Sequence, residues 1–547
     1  MILEFLISEN ERTARFEYTV KFICQTLGYG YNIVTEKNKL GKNALVITYA
    51  APDKLQKLQR ISGLNVFNSA YLNNLAELEK NVKLFEWQGV TIPVMGDDLT
   101  RENHAGWRKN RTDYSYRKTG FSIWSVEFDL FANIFYHLSR YEEKWRHFAE
   151  ETASDYTTSI LSRHHDLKIP VVDVLLDYFR VLTLKKSDRL VNIHPWPKGE
   201  IFGVAVTHDV DITRNVSLKR RLINSTYGMF KSILGEPEIN RELQEEMDRQ
   251  DELIWTYPKL QEMYLEQKIQ GTFFFLARIF EGIHFRYNIG SKKFSSLIRS
   301  LVAEGHEVAL HSSLHAFDQP QKYRVEKQRL EKITGSTITG LRQHYLRAKF
   351  PRLWRIAANN NFKYDTSLAY NYQAGYRAGT THPFFTFDYN KDVALDLLEF
   401  SLVFFENNLP KDLDTPESLK NYVHKLLYQA ERYQGLFVAL LHPSNYAVEP
   451  YHTFWQNLLG EVKKKNTCIL SLHEHWRWVK NRSKIKITPL SRSSIQLEKP
   501  AELKHFCIEV HDGAKLEAEK GINIEAIRAG CFKITASKNK FSLQIKK

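Results

Sequence analysis

Hydrophobic positions along the chain fall into three regimes. Up to about residue 190, short apolar strands such as ALVITYA and GVTIPVMG are mixed with two stretches of helical spacing. The first, VEFDLFANIFYHLSRYEEK from Val126, repeats apolar residues at Phe128, Phe131, Ile134, Phe135 and Leu138. The second, IPVVDVLLDYFRVL, has Pro170 suited to its start. After HPWPKGE the pattern changes. Between about 200 and 480, short apolar runs alternate with helical segments: IFGVAVTHDVD, a long polar helical region, GTFFFLA, EVALHSS, LEFSLV, GLFVALLHPSN and TCILSLHEHW. TFFFLA and LFVALLH are apolar on both faces, the pattern of parallel strands covered by helices. Beyond about 485, the segments IKITPL, SIQLEK, FCIEVHD and FKITAS read as a small β region.

Alternation over this length predicts an α/β barrel or open sheet. The expected units are an N-terminal α/β domain over 1–195, the barrel over 196–482 and a β-rich C-terminal region over 483–547. Length agrees, since 547 residues exceed one ordinary core. A hydrophobic share of 43% with 26% charged residues is that of a folded globular chain rather than a disordered one. The net charge of +14 is scattered, with short clusters at Lys219–Arg221 and Lys463–Lys465. No cysteine finger or basic helix joined to heptads accompanies them, so a generic basic surface is expected and no nucleic-acid partner.

Cys24, Cys468, Cys507 and Cys531 form no C-x-x-C pair, which argues against a disulfide framework or a cysteine zinc site. The opening MILEFLISENERTARFEYTV lacks the basic start of a signal peptide. No apolar run approaches the roughly 18 residues of a membrane span. A cytoplasmic location without an integral membrane segment is the expectation.

Chemistry concentrates at strand ends. In AVTHDVDIT, Asp209 and Asp211 share one side of the strand, while His208 and Val210 face the other. At the C-terminal end of a barrel strand, that shared side is the mouth. The competing reading is an Asp-rich turn that caps the next helix. In LHSSLH, His311 and His315 are four apart, so on a helix or helical turn both imidazoles reach one ion. Two imidazoles and one carboxylate make three protein ligands with a position left open for water, the count of a catalytic zinc site. The bland alternative is a pair of exposed histidines. LLHPSNY places His442 at another strand end, and LRQHYLR carries Arg342, His344, Tyr345 and Arg347.

In this order, these features resemble the polysaccharide deacetylase family, also known as the NodB-homology domain, to which carbohydrate esterases of family 4 belong. The resemblance spans roughly residues 200–480. HSSLH is similar to the family's H-[ST]-x-x-H pattern, and the first motif to its D-x-D variant. FDLFANIFYHLSRYEEK and YDTSLAYNYQAGYRAGTTHPF are similar to segments of a bacterial group with an N-terminal accessory domain. The resemblance implies a distorted (β/α) barrel. It implies Asp209 as catalytic base, Asp211, His311 and His315 as metal ligands, Arg342 holding the base, and His442 as general acid. Leu440 would form the apolar wall at the acetyl methyl group, with Tyr345 and His344 on the substrate side.

The implied cofactor is a divalent metal, Zn²⁺ first, with Co²⁺ or another divalent ion as alternatives. The implied reaction removes N-acetyl groups from sugars of a glycan or glycan precursor, with metal-activated water as nucleophile. Amide hydrolysis at neutral pH suits these groups: a cation lowers the pKa of water, a carboxylate beside an arginine stays ionised, and an imidazole protonates the leaving amine. The alternatives are O-acetyl ester cleavage at the same site, or a catalytically silent glycan-binding protein in surface-polysaccharide assembly. The expected partner is an acetylated carbohydrate, with peripheral association to a membrane or to assembly machinery.

Two features depart from the family pattern. The third motif reads Arg342-Gln343-His344-Tyr345 where Arg-x-Pro-[Tyr/Trp] is usual. The aspartate that orients the acid histidine has no counterpart, and Glu399 or Glu406 is left to replace it. SLHEHWRW (His473, His475) and His164-His165 read more plainly as packing or connection. The tyrosine-rich stretch after Asp365 is either a sugar-stacking loop or packed core, and Asp365 itself is a candidate rim residue.

Overall fold

The computed structural model describes residues 2–50, 63–96, 116–118, 123–126, 128–144, 159–187, 190–211, 218–233, 238–239, 241–245, 255–278, 287–413, 415–511 and 513–546. Parts of the long polar helical region, 212–217 and 246–254, lie outside them. The chain is a mixed α/β protein whose largest sheet curls into a distorted, incompletely closed barrel.

Strands Phe202–Val210, Thr272–Leu276, Glu307–Ser312, Gly340–Gln343, Tyr364–Asp365 and Val393–Glu399 follow one another in parallel around this sheet. On the other side of the first strand lie Leu436–Leu440 and then Phe404–Phe405, both parallel. Thr467–Ile469 pairs with the lower half of Phe202–Val210, below the point where Thr272–Leu276 takes over. Phe384–Asp388 is the antiparallel edge.

Both faces of these strands are buried, and residues alternate between two cores. Val204, Val206, Phe273, Phe275, Val308, Leu310, Phe437 and Ala439 pack outward under the helices. Ala205, Phe274, Ala309, Val438 and Leu440 fill the interior. That two-sided burial is why the runs read as continuously apolar. The interior core continues into the C-terminal strands through Trp196, Trp478 and Phe506. Trp196 plugs the end of the barrel opposite the motifs so closely that a Cβ on Gly203 would sit 2.4 Å from its ring.

The N-terminal sheet runs Tyr31–Val34, Ile2–Leu6, Ala44–Ala50, Gly63–Phe67, Ile123–Val126, Tyr116–Lys118, antiparallel only at the last pairing. The helix expected from Val126 is shorter than its periodicity. Ile123–Val126 is a strand, and Asp129 then caps helix Leu130–Leu138 by accepting from Ala132 N. Helix Val171–Lys186 starts directly after Pro170. Helix Ala14–Leu27 meets the barrel edge, where Tyr18 donates to Phe385 O at 2.7 Å and packs on Phe387. At the other terminus two four-stranded antiparallel ladders form, and one of them recruits Val191–Ile193.

Candidate metal centre and active site

The barrel mouth gathers the strand-end motifs. Asp209 and Asp211 both turn toward the third and second motif strands. His208 faces out, where it donates to Leu441 O at 2.8 Å, meets Tyr264 OH at 2.5 Å and stacks on Phe273. Burial pushes His208 down to about 4, so it is a neutral packing residue.

Arg342 is fully buried, with Nη1 donating to Asp209 Oδ1 at 2.8 Å. Its remaining donors reach Thr366 O and Oγ1 at 3.3 Å, and its guanidinium lies 4.3 Å over the Phe274 ring. Four contacts thus fix Arg342, and one of them holds one side of Asp209. The backbone there is fixed too: Gln343 accepts from Ser312 and Tyr323 and donates to Ser313 O, while its N–H donates to Ser367 Oγ. The two serines of HSSLH therefore pin the third motif to the second.

His311, next to last in its strand, is in register with Arg342 and donates Nδ1–H to Arg342 O at 3.0 Å. That bond turns Nε2 toward the two carboxylates, 3.2 Å from Asp211 Oδ1 and 3.7 Å from Asp209 Oδ2. His344 brings Nε2 to 3.6 Å from Asp211 Oδ2. Its loop is strained, since Tyr345 and Leu346 hold φ of +57° and +53°, and each such non-glycine residue costs about 1–2 kcal/mol. The turn aims His344 into the mouth, with the exposed Tyr345 stacked on its ring at 4.2 Å.

Asp211, His311 and His344 have ligand atoms within 4.8 Å of one another. Asp211 Oδ1 and His344 Nδ1 are buried without a hydrogen-bond partner. A buried carboxylate oxygen left bare costs free energy unless a cation meets it, and two imidazoles with a carboxylate are a fitting donor set for a divalent metal. Burial alone would raise Asp211, but His311, His344 and His442 hold it well below the usual carboxylate range.

His315 is not brought into this group. The expectation that both histidines of HSSLH stack on a helical face fails because His311 belongs to a strand. Four residues on, the chain has turned into the short 3₁₀ segment Leu314–Ala316, where His315 is exposed. His344, expected on the substrate side, is the residue grouped with Asp211 and His311.

His442 sits where Leu436–Leu440 opens into its loop. Its backbone N–H and Nδ1–H both donate to Glu406 Oε1 at 2.7 Å, and Asn445 adds a third bond at 2.8 Å. Nε2 is left 3.4 Å from Asp211 Oδ2. Burial opposes the charged imidazole, yet Glu406 and Asp211 outweigh it and hold His442 well above its ordinary value. Glu406, one of two residues the sequence leaves open for this role, is thus the partner. Glu399 is elsewhere, accepting from Trp354 Nε1 and Leu368 N beside Asp365. The side chains of Asp211 and His442 keep 19% and 21% exposure, so the mouth reaches solvent at this pair. Leu440 is buried beside it, in register with Thr207.

The other sequence candidates take structural roles. His475 is buried against Trp196 and bonded to Val204 O, and His473 is bonded to Thr339. Tyr370 and Tyr376 are packed inside, and Tyr372 is exposed.

Residues 5–187 match a family model described as a family of unknown function (DUF7033). No curated protein matches the chain. Several solved structures are similar to it. One from Mycobacterium smegmatis, provisionally described as a polysaccharide deacetylase, shares 19% identity at a TM-score of 0.36, over 54% of this chain and 96% of that one. A second so described, from Pseudomonas aeruginosa PAO1, shares 12% at 0.38, over 52% and 93%. The Puue allantoinase shares 14% at 0.35, over 52% and 92%. At these levels the weight falls on the geometry of the site itself.

Proposed function

We propose that this chain is a metal-dependent hydrolase that removes N-acetyl groups from sugar residues of a glycan or glycan precursor. The observation that carries the reading is the convergence on Asp211: His311 and His344 on one side, His442 held by Glu406 on the other, and the Asp209–Arg342 pair behind. Asp211, His311 and His344 would hold the cation. A bound divalent metal, with Zn²⁺ first in view of the nitrogen and oxygen donors, would polarise the acetyl carbonyl and lower the pKa of water.

The chain's own residues supply the proton traffic. Arg342 engages Oδ1 of Asp209, leaving Oδ2 to accept the proton of the attacking water. Glu406 fixes the Nδ1–H tautomer of His442, so that Nε2 faces the mouth and protonates the departing amine. Leu440 and Tyr345 offer apolar and aromatic surface to the acetyl group and the sugar ring. The carboxylate on His442 favours hydrolysis over a silent glycan-binding role, because a binding protein has no use for an oriented acid.

The test is acetate release from a panel of N-acetylated and O-acetylated oligosaccharides, with metal content measured in parallel. Asp209→Asn is expected to lower turnover by roughly 10²–10⁴. Unchanged turnover in that variant, or sugar binding with no acetate from any substrate, would sink the assignment. Release that tolerates His442→Ala points to ester cleavage, where the leaving group needs less protonation.

A further inference from the structure

Asp365 and Glu399 are cross-strand neighbours, in register at the ends of the parallel strands Tyr364–Asp365 and Val393–Glu399. Both are fully buried, and their carboxyl groups lie within hydrogen-bond reach of each other. Their other partners are few. Asp365 Oδ1 accepts from Ser367 Oγ at 2.7 Å, while Glu399 accepts from Trp354 Nε1 at 2.8 Å and Leu368 N at 3.2 Å. Asp365 Oδ2 is buried with no partner among the donors of the described residues. The titratable groups that face the pair are Arg342, on the strand next to Asp365, and Tyr323. Arg342 donates to Asp209 and Thr366, and Tyr323 donates to Gln343, so neither satisfies that oxygen.

Two buried carboxylates side by side do not both stay ionised. A proton on Glu399 meets both difficulties at once: its O–H donates to Asp365 Oδ2, and the pair keeps a single negative charge behind the Arg342 guanidinium. Burial, reinforced by Asp365, pushes Glu399 well above the ordinary carboxyl range, in the same sense. The pair also clamps the turn that follows Asp365, through Ser367 on one carboxyl and Leu368 N on the other. Thr366 lies inside that clamp, and its O and Oγ1 are acceptors of Arg342 at 3.3 Å.

We propose that Asp365 and Glu399 share one proton as an acid–carboxylate pair, and that this pair positions Arg342 behind Asp209. Both are positioning residues, which act through Thr366 and Arg342 rather than on a substrate. The positioning half rests on the reaction proposed above, since it concerns the arginine that holds the base. The shared proton does not.

Charge counting reads the proton. Native electrophoresis of the full chain at about pH 7 compares the wild type with Asp365→Asn, Glu399→Gln and the two changes together. A pair with one charge keeps it in either single variant, so both should migrate with the wild type. The double variant should shift by one charge, as should the exposed control Glu417→Gln. A one-charge shift in a folded single variant overturns the shared proton. If neither single variant folds, NMR of the wild type with isotope-labelled glutamate carboxyls decides. An acid signal should persist after Glu307, which burial pushes up to about 7, has ionised, and its absence overturns the proton equally. For the positioning, the double variant should lower kcat for acetate release about tenfold at unchanged KM, with the single variants close to wild type. Ser367→Ala cuts the clamp by a milder change, should act in the same direction, and takes the double variant's place if that does not fold. Wild-type kcat in the folded variant overturns the positioning. A wild type that releases no acetate sinks the reaction alone, and hydrogen exchange over residues 365–368 then decides. Exchange about tenfold faster in the variant supports the clamp, and unchanged exchange overturns it.

Discussion

Asp211 is the residue on which three imidazoles converge, and its Oδ1 is buried without a hydrogen-bond partner. If His344 is a ligand, His344→Ala should lower metal affinity by more than the roughly 10–100-fold typical of a residue that only supports a ligand. His315→Ala should leave metal content unchanged. Metal analysis after dialysis against a weak chelator reads both, and the opposite pattern would restore the ligand set expected from HSSLH. Strand alternation was enough to put Asp209 and Asp211 on one side. It does not decide whether His315 or His344 joins them, because that depends on whether His311 lies in a strand or begins a helix. The signal for His344 was present in LRQHYLR, two residues past Arg342 at the neighbouring strand end, but only the left-handed turn at Tyr345 and Leu346 aims it inward.

At the level of elements, the apolar runs were legible because parallel strands buried on both faces leave an unbroken signature. Boundaries were less so. A paired Val126 and the Asp129 cap cut short the helix that periodicity carries through both. Helix Val171–Lys186 shows what sequence cannot convey, the cost of an acid in its first buried turn. Asp173 accepts from Thr380 Oγ1 at 2.6 Å and Thr381 N at 2.8 Å, tying this helix to the loop after the third motif. Burial pushes it up to about 7 despite those bonds. In the unfolded chain an aspartate titrates near 3.9, so the folded protein holds this proton more tightly. The associated stability is fully present below about pH 4 and is lost as the pH rises through about 7. Asp173→Asn removes that titration, and the fall in stability between about pH 4 and 7 should shrink by on the order of a few kcal/mol. Urea unfolding at a series of pH values checks this, and identical slopes in the two proteins would refute it.

Across the whole molecule, the two tyrosine-rich and charged segments that frame the barrel prove to be halves of one contact. Arg140 pairs with Glu142 and Glu143 and donates to Arg377 O, while Arg377 reaches back to Glu143 at 2.9 Å and to Ala369 O at 3.1 Å. The arginines and Glu142 are 1% exposed and the Glu143 side chain 5%, so these charges have little water to fall back on. The network joins the segment after helix Leu130–Leu138 to the same loop that supplies Thr366 to Arg342. Arg377→Met should therefore destabilise strongly, by about 3–5 kcal/mol, because it strips a buried carboxylate of one partner. Glu143→Gln alone should also destabilise, since it leaves two guanidinium groups facing each other. Combining them removes both the unpaired charge and its repulsion, so the double variant should lose less than the sum, with a coupling of about 0.5–3 kcal/mol. Calorimetric midpoints of the four proteins measure that coupling. Strict additivity would mean that the N-terminal segment and the barrel loop merely touch, and that packing alone holds the loop behind Arg342.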